Sequence, residues 1–339
     1  MKRLIALCTV VLLVLHAPLM SQEVTKVGTT AAGFLNIDIG ARAIGMGGAY
    51  VSVADDIMSM YWNAAGMARV DGSEATFTYN RWLADISYNY AGFVANLGNL
   101  GAIGVDAQFM TMDKMERTTV MEPDGTGELF NAGSYAFGLG YARNLTDRFS
   151  IGFKFKYVRE EIYHSTASGI AFDIGTLFDT QYNGLKIGMS ITNYGTKMQM
   201  GGRDMLIQAD IDPSISGNNR NINANLATDA FDLPLMFRVG VSMDVLKGMG
   251  NSNLILALDA LHPNDDVESL NFGSEYVYGG MFILRAGYKA VFARDSEEGL
   301  CFGAGFRWGL GGMDLKIDYA YEEFGVLNEI QMFGIGLGF

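Results

Sequence analysis

The stretch Phe149–Ile162 reads Phe-Ser-Ile-Gly-Phe-Lys-Phe-Lys-Tyr-Val-Arg-Glu-Glu-Ile and alternates between apolar and polar or glycine residues. Successive side chains of a strand point to opposite faces, so Phe153 and Phe155 would share one face and Lys154 and Lys156 the other. Ordinary strands have about 5–6 residues, whereas a tilted strand needs about 9–11 to cross a bilayer. This stretch therefore predicts a strand that is long enough to span a membrane.

The same alternation recurs along the chain from about residue 75 to the last residue, Phe339. It predicts fourteen strands, and single-chain bacterial outer-membrane barrels have an even number. The predicted strands are 75–83, 86–97, 100–112, 131–142, 149–162, 166–179, 185–197, 233–246, 252–262, 267–278, 281–292, 298–308, 312–324 and 328–339. With both chain ends in the periplasm, the long connections at 113–130 and 198–232 lie outside the cell, where long loops occur. The predicted fold class is all-β transmembrane, a 14-stranded antiparallel outer-membrane β-barrel.

Alternation alone would also fit a soluble β-sandwich, so other features must decide between the two. Aromatic residues recur near the ends of the predicted strands, as at a membrane interface: Tyr79, Trp82, Tyr141, Tyr157, Trp308 and Tyr321. The last strand ends on alternating apolar residues and resembles the signal that the barrel assembly machinery recognises: Phe333, Ile335, Leu337 and Phe339. We therefore expect outer-membrane lipid to cover the apolar face.

The composition excludes several other classes of protein. The 339 residues include 43 glycines, which disfavour a mostly helical fold because an interior glycine costs a helix about 1 kcal/mol. Beyond the N-terminus there is no run of about 18 apolar residues, so transmembrane helices are not expected. The net charge of −13 argues against a nucleic-acid partner, which requires a basic surface.

Residues 1–21 have the pattern of a cleaved secretory signal peptide. Lys2 and Arg3 form a positively charged start, and a short apolar segment follows before polar sequence begins at Ser21. The exported chain would keep a single cysteine, Cys301, so no internal disulfide is expected. The predicted location is the bacterial outer membrane.

Residues 22–72 show little alternation, and we expect them to form a small helical hatch inside the barrel of residues 73–339. Fourteen strands enclose more room than the side chains of the wall can fill. A loose periplasmic tail would also fit this position in the chain, but it would expose many apolar side chains to water. The residues expected to form or gate the hatch are Gly40, Arg42, Gly45, Gly47, Gly48, Asp55, Asp56, Trp62, Asn63 and Gly66.

The run Gly40–Gly48, the step Ala54–Asp56 and the motif Trp62–Gly66 resemble the N-terminal hatch of the PorV/PorQ family, a branch of the FadL-like outer-membrane barrels. The related motif usually reads Asn-Pro-Ala-Gly, and Ala64 stands where that motif has proline. The resemblance covers the mature chain in architecture, and its specific motifs lie within residues 33–67. It implies a 14-stranded barrel that is plugged by its N-terminal segment.

The resemblance implies two alternative functions. PorV-like members act in type IX protein secretion, where they bind the C-terminal signal domain of secreted proteins at the extracellular mouth and pass them to other components for surface attachment. FadL-like members admit long-chain fatty acids or other hydrophobic small molecules. A barrel without transport or secretion partners is a third, purely structural possibility.

Methionines cluster at both long outer connections, and their flexible side chains suit adaptable apolar binding. The candidate contacts for a partner or a ligand are Met110, Met112, Met115, Met198, Met200 and Met205. The same residues would also serve to pack the loops over the mouth, and the sequence does not choose between these two roles.

No arrangement of residues points to catalysis, a cofactor or a metal. His164 precedes Ser165, but neighbours in a strand face opposite sides and cannot act as nucleophile and base. Asp55 and Asp56 alone provide too few oxygens for calcium, which takes six to eight, so structural capping is expected. The inward charges are expected to form a network that anchors the hatch: Asp106, Lys154, Arg238, Asp244, Asp259, Arg285, Lys289, Arg307, Asp314 and Lys316.

Overall fold

The computed structural model describes residues 26–339 apart from 213, 218, 220, 248, 249, 294 and 295. The predicted signal peptide lies outside these described residues. Fourteen long antiparallel strands form the wall of a barrel. They are β1 (Ser73–Arg81), β2 (Ser87–Asn96), β3 (Ala102–Thr111), β4 (Ala132–Thr146), β5 (Phe149–Ile162), β6 (Ser165–Asp179), β7 (Leu185–Gly195), β8 (Met236–Asp244), β9 (Ser252–Pro263), β10 (Ser269–Tyr278), β11 (Phe282–Val291), β12 (Leu300–Leu310), β13 (Met313–Glu323) and β14 (Glu329–Gly338).

The barrel is closed because its first and last strands pair along their length. Glu74 of β1 lies opposite Gly338 of β14, and Arg81 lies opposite Gln331. Every other strand pairs with its two neighbours in the chain, so the backbone groups of the wall are satisfied without help from water. The predicted fold class and all fourteen predicted strands are confirmed.

The two faces of the wall differ as the alternation predicts. Phe153 and Phe155 of β5 are 47% and 41% exposed on the outside, whereas Lys154 between them is 1% exposed and points inward. Exposed apolar side chains likewise occupy outward positions on the other strands, as lipid requires. None of the helices in the described part of the chain is long and apolar enough to span a membrane.

The long third and seventh connections carry short two-stranded hairpins at the extracellular end. The third pairs Met115–Glu116 with Leu129–Phe130. The seventh pairs Met198–Gln199 with Ala230–Phe231, pairs Leu206–Ala209 with Ile222–Asn225, and adds Gly201–Gly202 to the upper end of β6. Short 3-10 turns occur elsewhere, at Leu83–Asp85, Gly98–Leu100, Arg203–Met205 and Gly325–Leu327.

The N-terminal residues fill the barrel with short helices and turns. A 3-10 helix covers Gly33–Asn36, α1 covers Ala41–Gly45, α2 covers Ser59–Trp62, and a second 3-10 helix covers Ala64–Arg69. All residues from 39 to 54 are buried. Burial of this kind contradicts the alternative of a loose tail. We refer to residues 26–72 as the hatch.

Candidate functional site

The hatch lies so close to the wall that glycine is required on both sides of the contact. Gly47 has φ +62°, a left-handed conformation, and a Cβ there would lie 2.6 Å from the backbone nitrogen of Tyr288. Gly48, at φ +70°, leaves no room because its Cβ would lie 2.8 Å from the side-chain nitrogen of Asn271. The small residues of the predicted hatch motif therefore set the distance between hatch and wall.

Within the same motif, Gly40, Gly45 and Gly66 are equally constrained. A Cβ on Gly45 would lie 3.0 Å from the Cα of Gly303 in β12. A Cβ on Gly66 would lie 2.3 Å from the carbonyl oxygen of Ala54, and one on Gly40 would lie 2.8 Å from the side chain of Met58. Gly45 thus contacts the wall, whereas Gly40 and Gly66 let the hatch fold on itself.

Glycines of six of the fourteen wall strands are in close contact with the hatch backbone. A Cβ on Gly287 of β11 would lie 2.3 Å from the nitrogen of Gly47, and one on Gly188 of β7 would lie 2.3 Å from the carbonyl oxygen of Val51. Contacts of the same kind occur at Gly152, Gly175 and Gly273. They hold the hatch against β5–β7 and β10–β12.

The wall formed by β13, β14 and β1 is different, because a polar cavity separates it from the hatch near the periplasmic end. A Cβ on Gly336 of β14 would meet no atom closer than 3.5 Å. The cavity has a volume of about 400 Å³, and Glu74, Arg307, Asp314 and Lys316 line it. The water-accessible space is confined to this end, because farther along the same strands Ala41 and Ile44 of the hatch pack against Ala320 and Met332.

Arg42 of α1 is the main electrostatic link between hatch and wall. Its guanidinium donates hydrogen bonds of 2.9 Å to both oxygens of Glu275 in β10. It also donates to Asp55 at 2.7 Å and to Asp56 at 3.0 Å. The residue is 5% exposed, so this pairing is shielded from water. The adjacent carboxylates therefore both pair with an arginine of the same hatch.

Asp56 also organises the turn that precedes α2. It accepts hydrogen bonds from the hydroxyl of Tyr50 at 2.7 Å and from the backbone nitrogen of Met58 at 2.9 Å. Burial favours the neutral carboxyl, but the Arg42 guanidinium and these hydrogen bonds outweigh it and hold the pKa of Asp56 below its ordinary value. The predicted capping role of this residue fits these contacts.

Further charges tie the hatch to other strands. Asp38 of the hatch pairs with Lys289 at 2.8 Å and lies 3.9 Å from Arg238. Asp259 accepts hydrogen bonds from the backbone nitrogens of Tyr50 and Val51, at 2.7 and 2.8 Å. Each of these contacts joins a hatch residue to a wall residue that is far away in the sequence.

The remaining predicted inward charges serve the hatch less directly. Lys154 pairs with Asp106 at 2.5 Å and also donates to the carbonyl oxygen of Met60 in the hatch. Within the wall, Arg285 pairs with Glu275, Lys316 pairs with Glu74, and Asp244 accepts from the backbone nitrogens of Leu246 and Leu254. Arg307 and Asp314 face the polar cavity.

The motif Trp62–Gly66 holds the turn in which alanine replaces the expected proline. Asn63 caps the 3-10 helix by accepting from the nitrogen of Ala65, and it donates to the carbonyl oxygens of Val51 and Thr176. Ala64 occupies the first position of that helix, where the backbone N–H has no partner within the helix. A proline at this position would only restrict φ to a helical value. Trp62 is fully buried and donates to the carbonyl oxygen of Ile39. The cap by Asn63 thus keeps the turn in place without the ring.

The predicted methionines have different environments at the outer mouth. Met198 is 1% exposed, and Met110 and Met200 pack against the same buried cluster. The same cluster also contains Phe34, Leu35, Tyr61, Tyr88, Val158 and Leu233. Met112 and Met205 are half-buried, and Met115 is 52% exposed. Met115 is thus the most exposed of the six and the best placed to contact a partner.

Several strongly exposed apolar residues of the outer loops are not among the candidate contacts chosen from the sequence. Val120 and Met121 are 99% and 89% exposed at the tip of the third connection. Ile211 and Ile215 are 78% and 54% exposed in the seventh. The sequence does contain a sign of the exposed residues in the seventh connection. These isoleucines stand in a polar, asparagine-rich segment, where no predicted strand or core needs an apolar residue.

The start of the hatch reaches the extracellular mouth. Thr30 donates to Asp265 at 2.7 Å, and the backbone nitrogen of Ala32 donates to Glu160 at 3.0 Å. Both acceptors lie at the extracellular ends of their strands or in the connections beyond them. Residues 26–29 are exposed there, so the hatch runs from the outer mouth to the periplasmic end at residue 72.

The C-terminal strand presents its predicted apolar residues to the outside of the barrel. Phe333, Ile335, Leu337 and Phe339 are between 38% and 57% exposed. They lie on the lipid-facing side of β14, next to β1. A role as an assembly signal stays a prediction.

The two histidines of the described chain lie at the outer mouth, outside the barrel interior. His164 contacts Asp204 at 3.2 Å, and His262 contacts Glu268 at 3.0 Å. In the described ranges, no cluster of His, Cys, Asp and Glu is arranged to hold a metal ion.

The part of the chain that contains the hatch matches a known protein family. Residues 20–245 match the family model described as "Type IX secretion system protein PorV". The chain belongs to the PorV family. No curated protein matches the sequence.

Solved structures share the fold of this PorV-family barrel at low sequence identity. The CymD monoaromatic hydrocarbon channel has a TM-score of 0.56 at 12% identity, covering 88% of this chain and 96% of its own. A Pseudomonas aeruginosa FadL homologue has a TM-score of 0.54 at 12% identity, covering 88% and 97%. The Ralstonia pickettii toluene transporter TbuX has a TM-score of 0.54 at 11% identity, with the same coverage.

Family and fold together identify the protein as a FadL-like barrel of the bacterial outer membrane. The family is that of a type IX secretion protein, and the fold is that of the FadL-like barrels. The predicted membership of the PorV/PorQ group and the predicted location are therefore confirmed.

Proposed function

We propose that this barrel acts in type IX protein secretion, where its extracellular mouth binds the C-terminal signal domain of secreted proteins and passes them on for surface attachment. Membership of the PorV family supports a role in this system. The observation that carries the binding step is the set of exposed apolar side chains on the two long outer connections. A contiguous apolar patch exposed to water marks a site of interaction, and the two connections supply the side chains for such a patch at the mouth.

The filled lumen favours binding at the mouth over passage through the barrel. Arg42, Glu275 and Asp56 form a buried ion-pair cluster between the hatch and β10. A hydrophobic molecule that passes between the hatch and β10 would have to break these ion pairs, and removing one partner of a buried pair costs about 3–5 kcal/mol. The close glycine contacts between hatch and wall leave no apolar gap on that side.

The exposed isoleucines of the seventh connection provide a direct test. We expect the double substitution Ile211→Ser and Ile215→Ser to reduce the secreted proteins recovered with the barrel from native membranes. A matched double substitution in the same connection, Asn219→Ser and Asn221→Ser, removes no apolar surface and should leave recovery unchanged. Cross-linking followed by pull-down and mass spectrometry measures both. Equal recovery of proteins with a shared C-terminal signal domain in all three forms would argue against binding through this loop.

A second candidate is passive transport of long-chain fatty acids or other hydrophobic small molecules. The apolar cluster around Met198, Phe34 and Tyr88 in the outer half of the barrel is the observation that favours it. The fold is also that of FadL-like barrels. Uptake of a labelled fatty acid separates the two: a deletion strain that secretes normally but no longer takes up the label would replace the secretion proposal with this one.

A further inference from the structure

The inward face of β14 changes from open to closely packed along the barrel axis. From the periplasmic end its inward residues are Gly338, Gly336 and Gly334, and a Cβ on any of them would lie at least 3.5 Å from the nearest atom outside its chain neighbours. The next two inward residues, Met332 and Ile330, are 1% and 2% exposed. The glycines therefore border open space, and this space ends where the two large apolar side chains begin.

The open space beside the glycines is polar and extends from the periplasmic end as far as Gly334. Its wide part is the cavity of about 400 Å³, and a narrow part of about 30 Å³ continues between Gly334 and Gly336 of the wall and Gly40 of the hatch. Glu74 and Lys316 line both parts. The narrow part exceeds the roughly 10–15 Å³ that one water molecule requires, so water from the periplasm can reach the middle of the wall.

Met332 closes the inner end of this space. Its side chain belongs to a buried apolar cluster with Ala41 and Ile44 of the hatch and Ala320 of β13. Its sulfur also accepts a hydrogen bond of 3.1 Å from the backbone nitrogen of Gly40. The closure thus consists of one flexible side chain of the wall held against the start of α1, and it depends on the position of the hatch.

Polar side chains lie beside this closure and beyond it. Asn80 of β1 lies opposite Met332, is 1% exposed, and neither atom of its side-chain amide has a hydrogen-bond partner among the described residues. Buried polar groups are normally paired with protein or with ordered water. One step farther out, Glu322 of β13 lies opposite Ile330 and pairs with Lys289 at 2.7 Å. Met332 and Ile330 therefore form a short apolar segment between polar surroundings.

We propose that the space along β13, β14 and β1 is a pathway for water and small ions, and that Met332 and Ile330 close it as a hydrophobic gate. A narrow apolar constriction blocks ions because it does not hold the water that hydrates them. The pathway is independent of the proposed role in secretion, since it lies between hatch and wall and does not involve the exposed apolar loops.

Conductance of the purified, full-length barrel in planar lipid bilayers tests the proposal. The native barrel and Met332→Leu, which keeps an apolar side chain of similar volume, should give no discrete current steps in potassium chloride. The double change Met332→Ser and Ile330→Ser replaces the gate by small polar side chains and should produce such steps. Val158→Ser makes the same kind of change in the larger apolar cluster, on β5, and should give none.

Heat-modifiable migration on a gel confirms that each variant is folded. Current steps of equal size in the native barrel and in the double variant, or no steps in the folded double variant, would overturn the proposal. Steps in Val158→Ser equal to those of the double variant would also overturn it, because the pathway would then not follow β14.

Cysteine labelling locates the gate without requiring that a variant conducts. In a Cys301→Ala background, a small charged thiol reagent should label Gly336→Cys of the detergent-solubilised barrel, because this position borders the open space. The reagent should label Asn80→Cys only when Met332→Ser is also present, and then to the same extent as Gly336→Cys. Labelling of Asn80→Cys beside the native Met332, or its protection beside Met332→Ser, would overturn the proposal.

Discussion

At the scale of single residues, the absence of a Cβ controls how closely the hatch approaches the wall. Gly287 and Gly336 both point inward from strands of the barrel, but only the first has hatch backbone 2.3 Å from the place where a Cβ would be. The sequence predicts the glycines of the hatch, because they recur in one dense run. It could not predict which glycines of the wall receive them, because those contacts join residues far apart in the chain.

Gly287→Ala should loosen the hatch by about 1–3 kcal/mol, the usual range for an overpacked core. The new methyl group would collide with the backbone of Met46 and Gly47, which cannot move as a side chain can. Limited proteolysis of the detergent-solubilised barrel measures the protection of the hatch. Gly336→Ala is the matched control, since its nearest neighbour would lie 3.5 Å away. Equal proteolysis of both variants would contradict the close contact.

Arg42→Gln should release the hatch more strongly, by about 3–5 kcal/mol, because it leaves carboxylates buried without a partner. The two proteins should also respond to acid in opposite ways. In the native protein the pKa of Asp56 is lowered, so its contribution to stability is complete above about pH 4 and is lost as the pH falls through the lower folded-state value. In the variant, protonation relieves repulsion between the carboxylates and should restore protection. Hatch proteolysis as a function of pH distinguishes these two responses, and parallel curves would contradict the account.

At the scale of elements, alternation with a period of two predicts the strands because lipid and lumen impose opposite demands on the two faces. The largest differences are at strand ends: β4 extends to Thr146 beyond its predicted end, and β8 starts at Met236 and not at residue 233. The β6–β7 pairing also contains an irregularity between Phe172 and Ile174, with Asn193 at φ +65°. Local patterns carry little information on such features, which depend on contacts with loops and the hatch.

Leu258→Arg should destabilise the inserted barrel by about 2–4 kcal/mol, the cost of a cation on the lipid face near the middle of the bilayer. Leu258 is 38% exposed and lies near the centre of β9, next to the inward Asp259. Denaturant unfolding in lipid vesicles, followed by heat-modifiable migration on a gel, measures the loss. Val326→Arg places the same charge on an exposed outer turn and should be neutral. A neutral effect at both positions would mean that Leu258 does not contact lipid.

At the scale of the whole molecule, the hatch threads the barrel from the outer mouth to the periplasmic end. The sequence predicts a plug, because the lumen of fourteen strands must be filled and residues 22–72 are the available segment. It does not predict the direction, which is set by contacts such as those of Thr30 with Asp265 and of Asn96 with Val70. Nor does it predict that Met198 is buried while Val120 and Met121 are exposed.

Cysteine labelling in intact cells tests this arrangement most directly. Val27 and Asp71 are both exposed but lie at opposite ends of the hatch, and the native Cys301 is buried. A membrane-impermeant maleimide should label Val27→Cys from outside the cell, and it should label Asp71→Cys only after the outer membrane is permeabilised. Labelling of Asp71→Cys in intact cells, or protection of Val27→Cys until permeabilisation, would contradict a hatch that runs outward through a closed barrel.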